Sequence, residues 1–333
     1  MAADEPSARD GPARGRPAGP ERPTELPVAS WVAALKRMVR GAREDRLTDW
    51  AAALTYYGVL SLFPGVLVSI SVLGLLDTRA PQAVRDIVDE AVPEANVRQL
   101  IETAIDQARS SKGLASVAAV LGLVAAFWAA SGYLAAFMRA ANTIYDVPEG
   151  RPIWKRLPIR VGITALVGGM LLAIVVIVVF TARVAEHVGG VFGFGPTAVQ
   201  AWKIVKWPVL LVLVSLVLAT LYRVAPNARH GGFRWVSPGS VLAVVSWLVI
   251  SVLFALYVHY FGSYHKAYGA VAGVIIFLVW LWLSNIAILL GAEFDAELAR
   301  SRAIEAGHPA EEEPYVELRD HRGLRKKRGG TDR

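Results

Sequence analysis

Long apolar stretches separated by short charged segments dominate the pattern of this chain. The clearest pair covers residues 239–261 and 270–292, neither of which contains Asp, Glu, Lys or Arg. At about 1.5 Å per residue, a helix of either length extends roughly 35 Å, enough to cross a hydrocarbon core of about 30 Å. Only residues 262–269 separate the two stretches, so the predicted helices return antiparallel through a bilayer.

Four earlier stretches of the chain are also long and predominantly apolar. Together they predict an all-α, polytopic integral membrane protein with six transmembrane helices. Between the first two spans, the apolar residues of 81–111 keep helical spacing, which predicts short amphipathic helices on the far membrane surface. The membrane domain is expected to cover residues 30–298. Its predicted spans are residues 51–76, 114–138, 161–184, 204–222, 239–261 and 270–292.

The segments that flank the membrane domain are charged. Residues 1–29 are rich in Pro, Gly and Arg and are expected to be a disordered tail, and residues 299–333 form a charged tail. Residues 30–46 combine an apolar helical face with basic residues, which indicates an interfacial helix on an anionic leaflet. A plain basic flank before the first span explains the pattern equally well. The apolar face comprises Trp31, Leu35, Met38 and Val39.

The distribution of positive charge sets the expected orientation. Of the 35 Lys and Arg residues, 26 lie in the segments on the side of both termini and 9 lie on the other side. By the positive-inside rule both termini are cytoplasmic. The net charge of +7 is then explained by topology and by anionic lipid headgroups at the cytoplasmic face, which are the expected partners. No nucleic-acid partner is needed, and a homo-oligomer stays open.

Four residues near the cytoplasmic interface are candidate site residues. Arg139 and Asn142 close the second span, and Glu293 and Asp295 follow the sixth. Because an unpaired charge at the edge of a bilayer is costly, we expect Arg139 to form an ion pair with Glu293 or Asp295. The sequence leaves open whether this group is a structural clasp, or a gate or headgroup site.

The first span supplies two further candidates, Tyr57 and Pro64. Tyr57 begins a stripe of small and polar residues at every fourth position, which favours close helix packing. Pro64 interrupts the helix, and either a packing kink or a substrate site would explain it. Polar residues such as Asn285 are rare in the spans. No acidic residue or Lys lies at a span centre, which argues against an ion-coupled pump.

The chain offers no pattern typical of an enzyme. It contains no cysteine, and its six histidines are scattered, without the spacing of a metal site. The glycine-rich residues 189–196 follow an apolar helix and lack G-x-G-x-x-G spacing, so they predict a turn. We therefore expect no catalytic residues, no metal and no cofactor.

Three stretches resemble the YihY/BrkB family of bacterial inner-membrane proteins, once labelled ribonuclease BN. They are residues 51–76, with Tyr56-Tyr57 and Phe63-Pro64, residues 127–148 (FWAASGYLAAFMRAANTIYDVP) and residues 257–297. The resemblance covers roughly residues 30–300 and implies six spans and a role in envelope integrity or transport. It implies no catalytic site and no known substrate.

These observations favour a protein that moves or binds a lipid or amphiphilic envelope component. In this hypothesis the cytoplasmic cluster contacts the headgroup, and Tyr57 and Pro64 line the helix-packed interior. A membrane scaffold that does not transport, or a carrier of small solutes, is the alternative. Ribonuclease activity is not expected, because no residues for it are present in a recognisable pattern.

Overall fold

The computed structural model of the protein describes residues 19–76, 114–179, 195–229, 237–261 and 270–324. These residues form seven α-helices of 17 to 36 residues. Their order follows the apolar pattern of the sequence, because each long helix corresponds to one predicted span; residues 180–184 of the third predicted span lie outside the described residues. The helices are α1 (Val28–Glu44), α2 (Leu47–Leu76), α3 (Leu114–Ile144), α4 (Ile153–Val179), α5 (Gly195–Val224), α6 (Ser237–Phe261) and α7 (Ala270–Glu305).

Four of the described helices are long and apolar enough to cross a membrane. They contain the stretches Ile153–Val178, Ile204–Val224, Pro238–Tyr260 and Val271–Glu305. The helices α2 and α3 have 30 and 31 residues. The all-helical membrane architecture is therefore confirmed, whereas the count of six spans and the orientation of the termini stay predictions.

The six long helices form a ring in chain order. Each of α2 to α6 contacts the next helix, and α7 returns to contact α2. Further contacts of α7 with α3 and α5, and of α2 with α4, cross the ring. The short connections after α3, α5 and α6 account for three of these contacts, because helices joined by a few residues must be neighbours.

Buried side chains of the ring lie at one end, which we call the closed end. Among the described side chains of α2 to α7 that lie away from this end, only that of Ala272 is buried. The others are partly or fully exposed. The closed end therefore holds the protein core. Along the rest of each helix, the described side chains are exposed to the surroundings. The closed end comprises residues 47–55, 131–144, 163–164, 217–222, 239–244 and 284–301.

Helix α1 packs beside the ring against α7. Ala34 and Met38 are buried with Phe294 and Leu298 of α7, and the ring centroids of Trp31 and Phe294 lie 5.9 Å apart. The apolar face predicted for this helix is therefore divided. Trp31 and Met38 pack against α7, whereas Leu35 and Val39 do not.

The second apolar face of α1 stays exposed. Val28, Val32, Leu35 and Val39 follow one another at helical spacing, with exposed fractions of 46% to 78%. The basic residues Lys36, Arg40 and Arg43 lie beside them in the sequence and are exposed. This is the composition of a helix that lies at a membrane interface.

The described parts of both tails pack onto the closed end. Pro23 and Leu26 are buried, although residues 1–29 had the composition of a disordered tail. Helix α7 continues to Glu305, 13 residues beyond the predicted end of its span, because Phe294 and Leu298 bury their side chains against α1. The chain then folds back, and Leu318 forms a β-bridge with Ala228 after α5.

Two predicted features lie outside the described residues. These are the amphipathic helices of residues 81–111 and most of the glycine-rich turn of residues 189–196, of which only the last part, at the start of α5, is described.

Candidate functional site at the closed end

The closed end contains four of the six predicted site residues. Asn142, Glu293 and Asp295 are buried there, with exposed fractions of 7%, 3% and 2%. Arg139 lies at the same end but is exposed. Tyr57 and Pro64 are half-buried and lie farther along α2, away from the other four.

Asn142 is the centre of a hydrogen-bond network between loops. Its Oδ1 accepts a bond of 2.7 Å from the backbone N–H of Asn227, and its Nδ2 donates to Glu149 at 3.0 Å. Asn227 is fully buried, and its Nδ2 donates to the carbonyl groups of Pro148 and Asp320. The Asn142 side chain therefore has partners for both its oxygen and its nitrogen, which indicates a structural role.

Arg151 ties the same network to the end of α5. Its guanidinium donates to both carboxylate oxygens of Glu149 at 2.8 Å and to the carbonyl oxygen of Ala225 at 2.8 Å. The Arg151 side chain is 1% exposed. The sequence showed only that this loop is basic, and nothing in its spacing distinguished Arg151 from its exposed neighbours.

The C-terminal segment completes the network. The Nζ of Lys155 lies 2.6 Å from Asp320 Oδ2, and Arg319 donates to the carbonyl oxygen of Arg223 at 2.6 Å. The backbone N–H of Gly323 donates to the carbonyl oxygen of Gly150 at 2.7 Å. Residues 317–323 thus bind the loops that follow α3 and α5.

Acidification should weaken this network through Glu149. Burial acts to raise the pKa of Glu149, but hydrogen bonds and charge from Arg151, together with Asn142, lower it below its ordinary value of 4.5. A lowered pKa means that the stabilisation is present above pH 4.5 and is lost as the pH falls through the folded-state pKa. We expect wild type to exceed Glu149→Gln in melting temperature at neutral pH, and this difference to shrink below pH 4.5.

Melting curves of both proteins across pH test this expectation. The control is Glu317→Gln, because the Glu317 side chain is 75% exposed in its ion pair with Arg229. That variant should stay close to wild type at every pH. A wild-type advantage over Glu149→Gln that is constant down to strongly acidic pH would contradict the prediction.

Glu293 and Asp45 meet where α1 joins α2. Their carboxyl groups are close enough to influence each other electrostatically. Gly41 of α1 makes room for this contact, since a Cβ at that position would collide with Glu293 Oε1. Glu293 Oε2 is buried and has no hydrogen-bond partner among the described residues. The sequence missed Asp45, because its role depends on the packing of α1 on α7.

Asp295 lies between α6 and α7. Its Oδ1 accepts a hydrogen bond of 2.7 Å from the backbone N–H of Gly239, and its buried Oδ2 has no partner among the described residues. Asp295 also borders a cavity of about 330 Å³ between α7 and the two tails. The charged and aromatic side chains Arg229, Arg302, Tyr315 and Glu317 line this cavity as well.

The predicted ion pair of Arg139 is not formed. Within the described ranges, no acidic side chain lies at ion-pair distance from Arg139, which is exposed. The prediction failed because Glu293 faces α1 and Asp295 faces the start of α6. Arg139 is therefore available to groups outside the protein.

The interface of α2, α3 and α7 is held by a short polar chain. Tyr133 donates to Asn285 Oδ1 at 2.9 Å, and Asn285 Nδ2 donates to Thr55 Oγ1 at 3.1 Å. Tyr57 packs next to this chain, since a Cβ on Gly132 would lie 3.0 Å from its ring. Around Tyr57 the predicted close packing is present.

Farther along α2 the packing is looser. A Cβ on Gly65 would meet nothing within 4 Å, so the small residue there does not serve a close helix contact. Pro64 lies within the continuous helix α2 and is half-buried.

Comparison with known proteins identifies the family. A sequence model of the family described as "Virulence factor BrkB" matches residues 38–315, which is most of the chain. The protein belongs to the BrkB family. The match begins in α1 and ends in the segment after α7, so it includes every part of the closed end.

Relatives of this BrkB family member extend over most of its length. A Bacillus subtilis protein named as ribonuclease-like, YfkH, is 30% identical over 262 residues, which are 78% of this chain and 92% of the relative. A UPF0761 membrane protein of Alteromonas mediterranea is 28% identical over 79% of this chain and 86% of its own length.

Another UPF0761 membrane protein, from Xanthomonas campestris, is 28% identical over 78% of the chain, which covers 59% of that relative. No solved structure matches the chain.

Proposed function

We propose that this BrkB family member lies in the bacterial inner membrane with six spans and both termini in the cytoplasm. There it binds and moves a lipid or another amphiphilic component of the envelope. The main support is the ring, which is packed at one end and leaves its other described side chains exposed. Such a ring can admit an apolar chain between helices while its closed end blocks free passage.

The charges at the closed end support an anionic headgroup as the polar part of this ligand. Arg139 is exposed there without an acidic partner among the described residues. The exposed apolar face of α1 runs beside the exposed Lys36, Arg40 and Arg43. A helix of this kind binds anionic membrane surfaces through apolar burial together with electrostatic attraction. Both features would keep the closed end at the depth of lipid headgroups.

We propose no enzymatic role for this protein. The word ribonuclease describes a relative, and a metal-dependent nuclease needs clustered acidic or histidine ligands. The part of the chain that the structure describes holds no group of three or more such residues able to bind a metal ion. We therefore assign Glu293 and Asp295 to the conformation of the closed end rather than to catalysis.

Reconstitution of the purified protein in vesicles tests the proposal. Translocation of fluorescent phospholipids and of lipid-linked glycan analogues should exceed that of protein-free vesicles. Arg139→Ala should lower the rate by about tenfold, as expected for the loss of one charge-assisted hydrogen bond to a headgroup. The matched control is Arg156→Ala, which removes an exposed positive charge from the start of α4 and should transport like wild type.

The outcomes separate the alternatives. No translocation by well-folded protein would overturn the proposal in favour of a scaffold or a carrier of small solutes. Translocation that is equal in wild type and Arg139→Ala would keep the transport function and remove Arg139 from the headgroup site. Equal losses in Arg139→Ala and Arg156→Ala would indicate a general charge effect.

A further inference from the structure

A cavity of about 330 Å³ lies where the end of α7 meets the described parts of both tails. One wall is formed by the last three turns of α7, beyond the predicted end of its span. Gly19 of the N-terminal segment, Arg229 after α5 and residues 315–317 form the other walls. The volume is at the lower end of the range of about 300–1,000 Å³ that is typical of small-molecule sites.

Asp295 forms the inner end of this cavity. It is the only buried residue among those that line the cavity, with an exposed fraction of 2%. Its Oδ1 accepts the hydrogen bond from the backbone N–H of Gly239, but its buried Oδ2 has no partner among the described residues. A buried carboxylate oxygen without a donor is costly. The inner end is therefore suited to a group that donates hydrogen bonds and carries positive charge, such as an ammonium group.

Two arginines also line the cavity. The Arg229 side chain is 65% exposed, which places it at the mouth, and its Nη1 donates to Glu317 at 3.2 Å. Arg302 donates from Nε to the carbonyl oxygen of Pro20 at 3.0 Å. A guanidinium group has five N–H donors in a planar fork, so Arg229 can bind a carboxylate or phosphate and keep its bond to Glu317. The mouth of the cavity is therefore suited to an acidic group.

Much of the remaining wall is small and apolar. Ala299, Ala303 and Ala306 line the cavity at helical spacing. The N-terminal segment lies directly against them, since a Cβ on Gly19 would be 2.8 Å from the Cβ of Ala306. A short aliphatic chain suits such a wall, whereas a further charged group would lose its hydration there without gaining a partner.

We propose that this cavity binds a small zwitterion. Its ammonium group bonds Asp295 Oδ2, and its acidic group, a phosphate or a carboxylate, bonds Arg229. A short aliphatic chain joins the two groups along the alanines of α7. The bound molecule contacts α7 and both tails, and so holds these segments together at the closed end. This site is separate from the proposed transport of a lipid and does not depend on it.

Calorimetric titration of the purified full-length protein in a neutral maltoside detergent tests the site. The zwitterionic probes are phosphoethanolamine, γ-aminobutyrate and glycerophosphoethanolamine, which is the polar part of a phospholipid. Ethanolamine and glycerol phosphate are the matched controls, because each carries only one of the two charges. At least one zwitterion should bind about tenfold more tightly than either control, as expected for one further charge-assisted hydrogen bond.

The order of the affinities identifies the source of the ligand. Tightest binding of glycerophosphoethanolamine would support the site and assign it to a lipid headgroup. Tightest binding of phosphoethanolamine or γ-aminobutyrate would support the site and assign it to a soluble molecule. A control compound that binds as tightly as every zwitterion would overturn the proposal.

Two variants test the contacts with the charged groups. In Asp295→Asn the side-chain oxygen still accepts the hydrogen bond from Gly239, but an amide replaces the negative charge, so the affinity should fall about tenfold or more. Arg229→Gln should remove the preference for a zwitterion over ethanolamine. The control is Glu311→Gln, which removes an exposed carboxylate of the C-terminal segment and should bind like wild type.

A further variant keeps the test decisive if Asp295→Asn does not fold. Ala303→Leu enlarges a side chain on the cavity wall, leaves every charged group in place and should abolish binding. Ala310→Leu makes the same change at an exposed position and should bind like wild type. The absence of binding of all three zwitterions to folded wild type would overturn the proposal. So would equal affinities of wild type and Ala303→Leu.

Discussion

Replacing Arg151 with methionine should lower the free energy of unfolding by about 3–5 kcal/mol, the range for breaking a buried ion pair by removing one partner. The guanidinium is enclosed and bonds both oxygens of Glu149 and the carbonyl oxygen of Ala225. Methionine preserves much of the side-chain volume but removes the guanidinium donors from Glu149 and from the carbonyl oxygen of Ala225. Unfolding in detergent, followed by intrinsic tryptophan fluorescence, measures the change.

The chain offers a matched control in Arg229→Met. Arg229 also pairs with a glutamate, Glu317, at 3.2 Å, but the two side chains are 65% and 75% exposed. A surface ion pair of this kind contributes about 1 kcal/mol or less. Equal losses of unfolding free energy in the two variants would contradict the buried network around Arg151. They would show that Arg151 contributes only through its charge.

The Arg151 network makes the C-terminal segment part of the membrane domain. Residues 317–323 bind the loops after α3 and α5 through backbone and side-chain hydrogen bonds. These are the loops that connect the closed ends of four ring helices, α3 to α6. The segment therefore stabilises the arrangement of the ring, although its sequence is charged.

The sequence predicted the long helices well because their signal is local. A run of 23 apolar residues without charge can satisfy its backbone only as a helix in an apolar medium. The same local pattern located Glu293 and Asp295 at the closed end, since they are the first acidic residues after the last span. Helix ends were less predictable, and α7 continues because Phe294 and Leu298 find apolar partners on α1.

The partners of the site residues could not be predicted from the sequence. Asn142 bonds Asn227 from 85 positions away, and no spacing rule connects such residues. Glu293 lies against Gly41 only because α1 folds onto α7. The exposure of Arg139 has the same origin, because the carboxyl groups expected to pair with it are directed to other helices by tertiary packing.

The close crossing of α6 and α7 at the closed end provides the second large prediction. A Cβ on Gly291 of α7 would lie 2.5 Å from the carbonyl oxygen of Gly239 and 2.7 Å from the Cβ of Ala243, both in α6. The two backbones are thus in contact, and neither can yield without a shift of a whole helix. We expect Gly291→Ala to lower the free energy of unfolding by about 3 kcal/mol, the upper part of the usual range for overpacking.

Gly169→Ala is the matched control, because the same methyl group at that position of α4 would meet nothing within 4 Å. There alanine should be neutral or stabilising by up to about 1 kcal/mol, since it has the higher helix propensity. Detergent unfolding of both variants measures the difference, and equal stabilities would contradict the close crossing. The crossing also fixes the Gly239 N–H that bonds Asp295. Gly291→Ala should therefore displace the buried carboxylate, as well as α6, from the closed end.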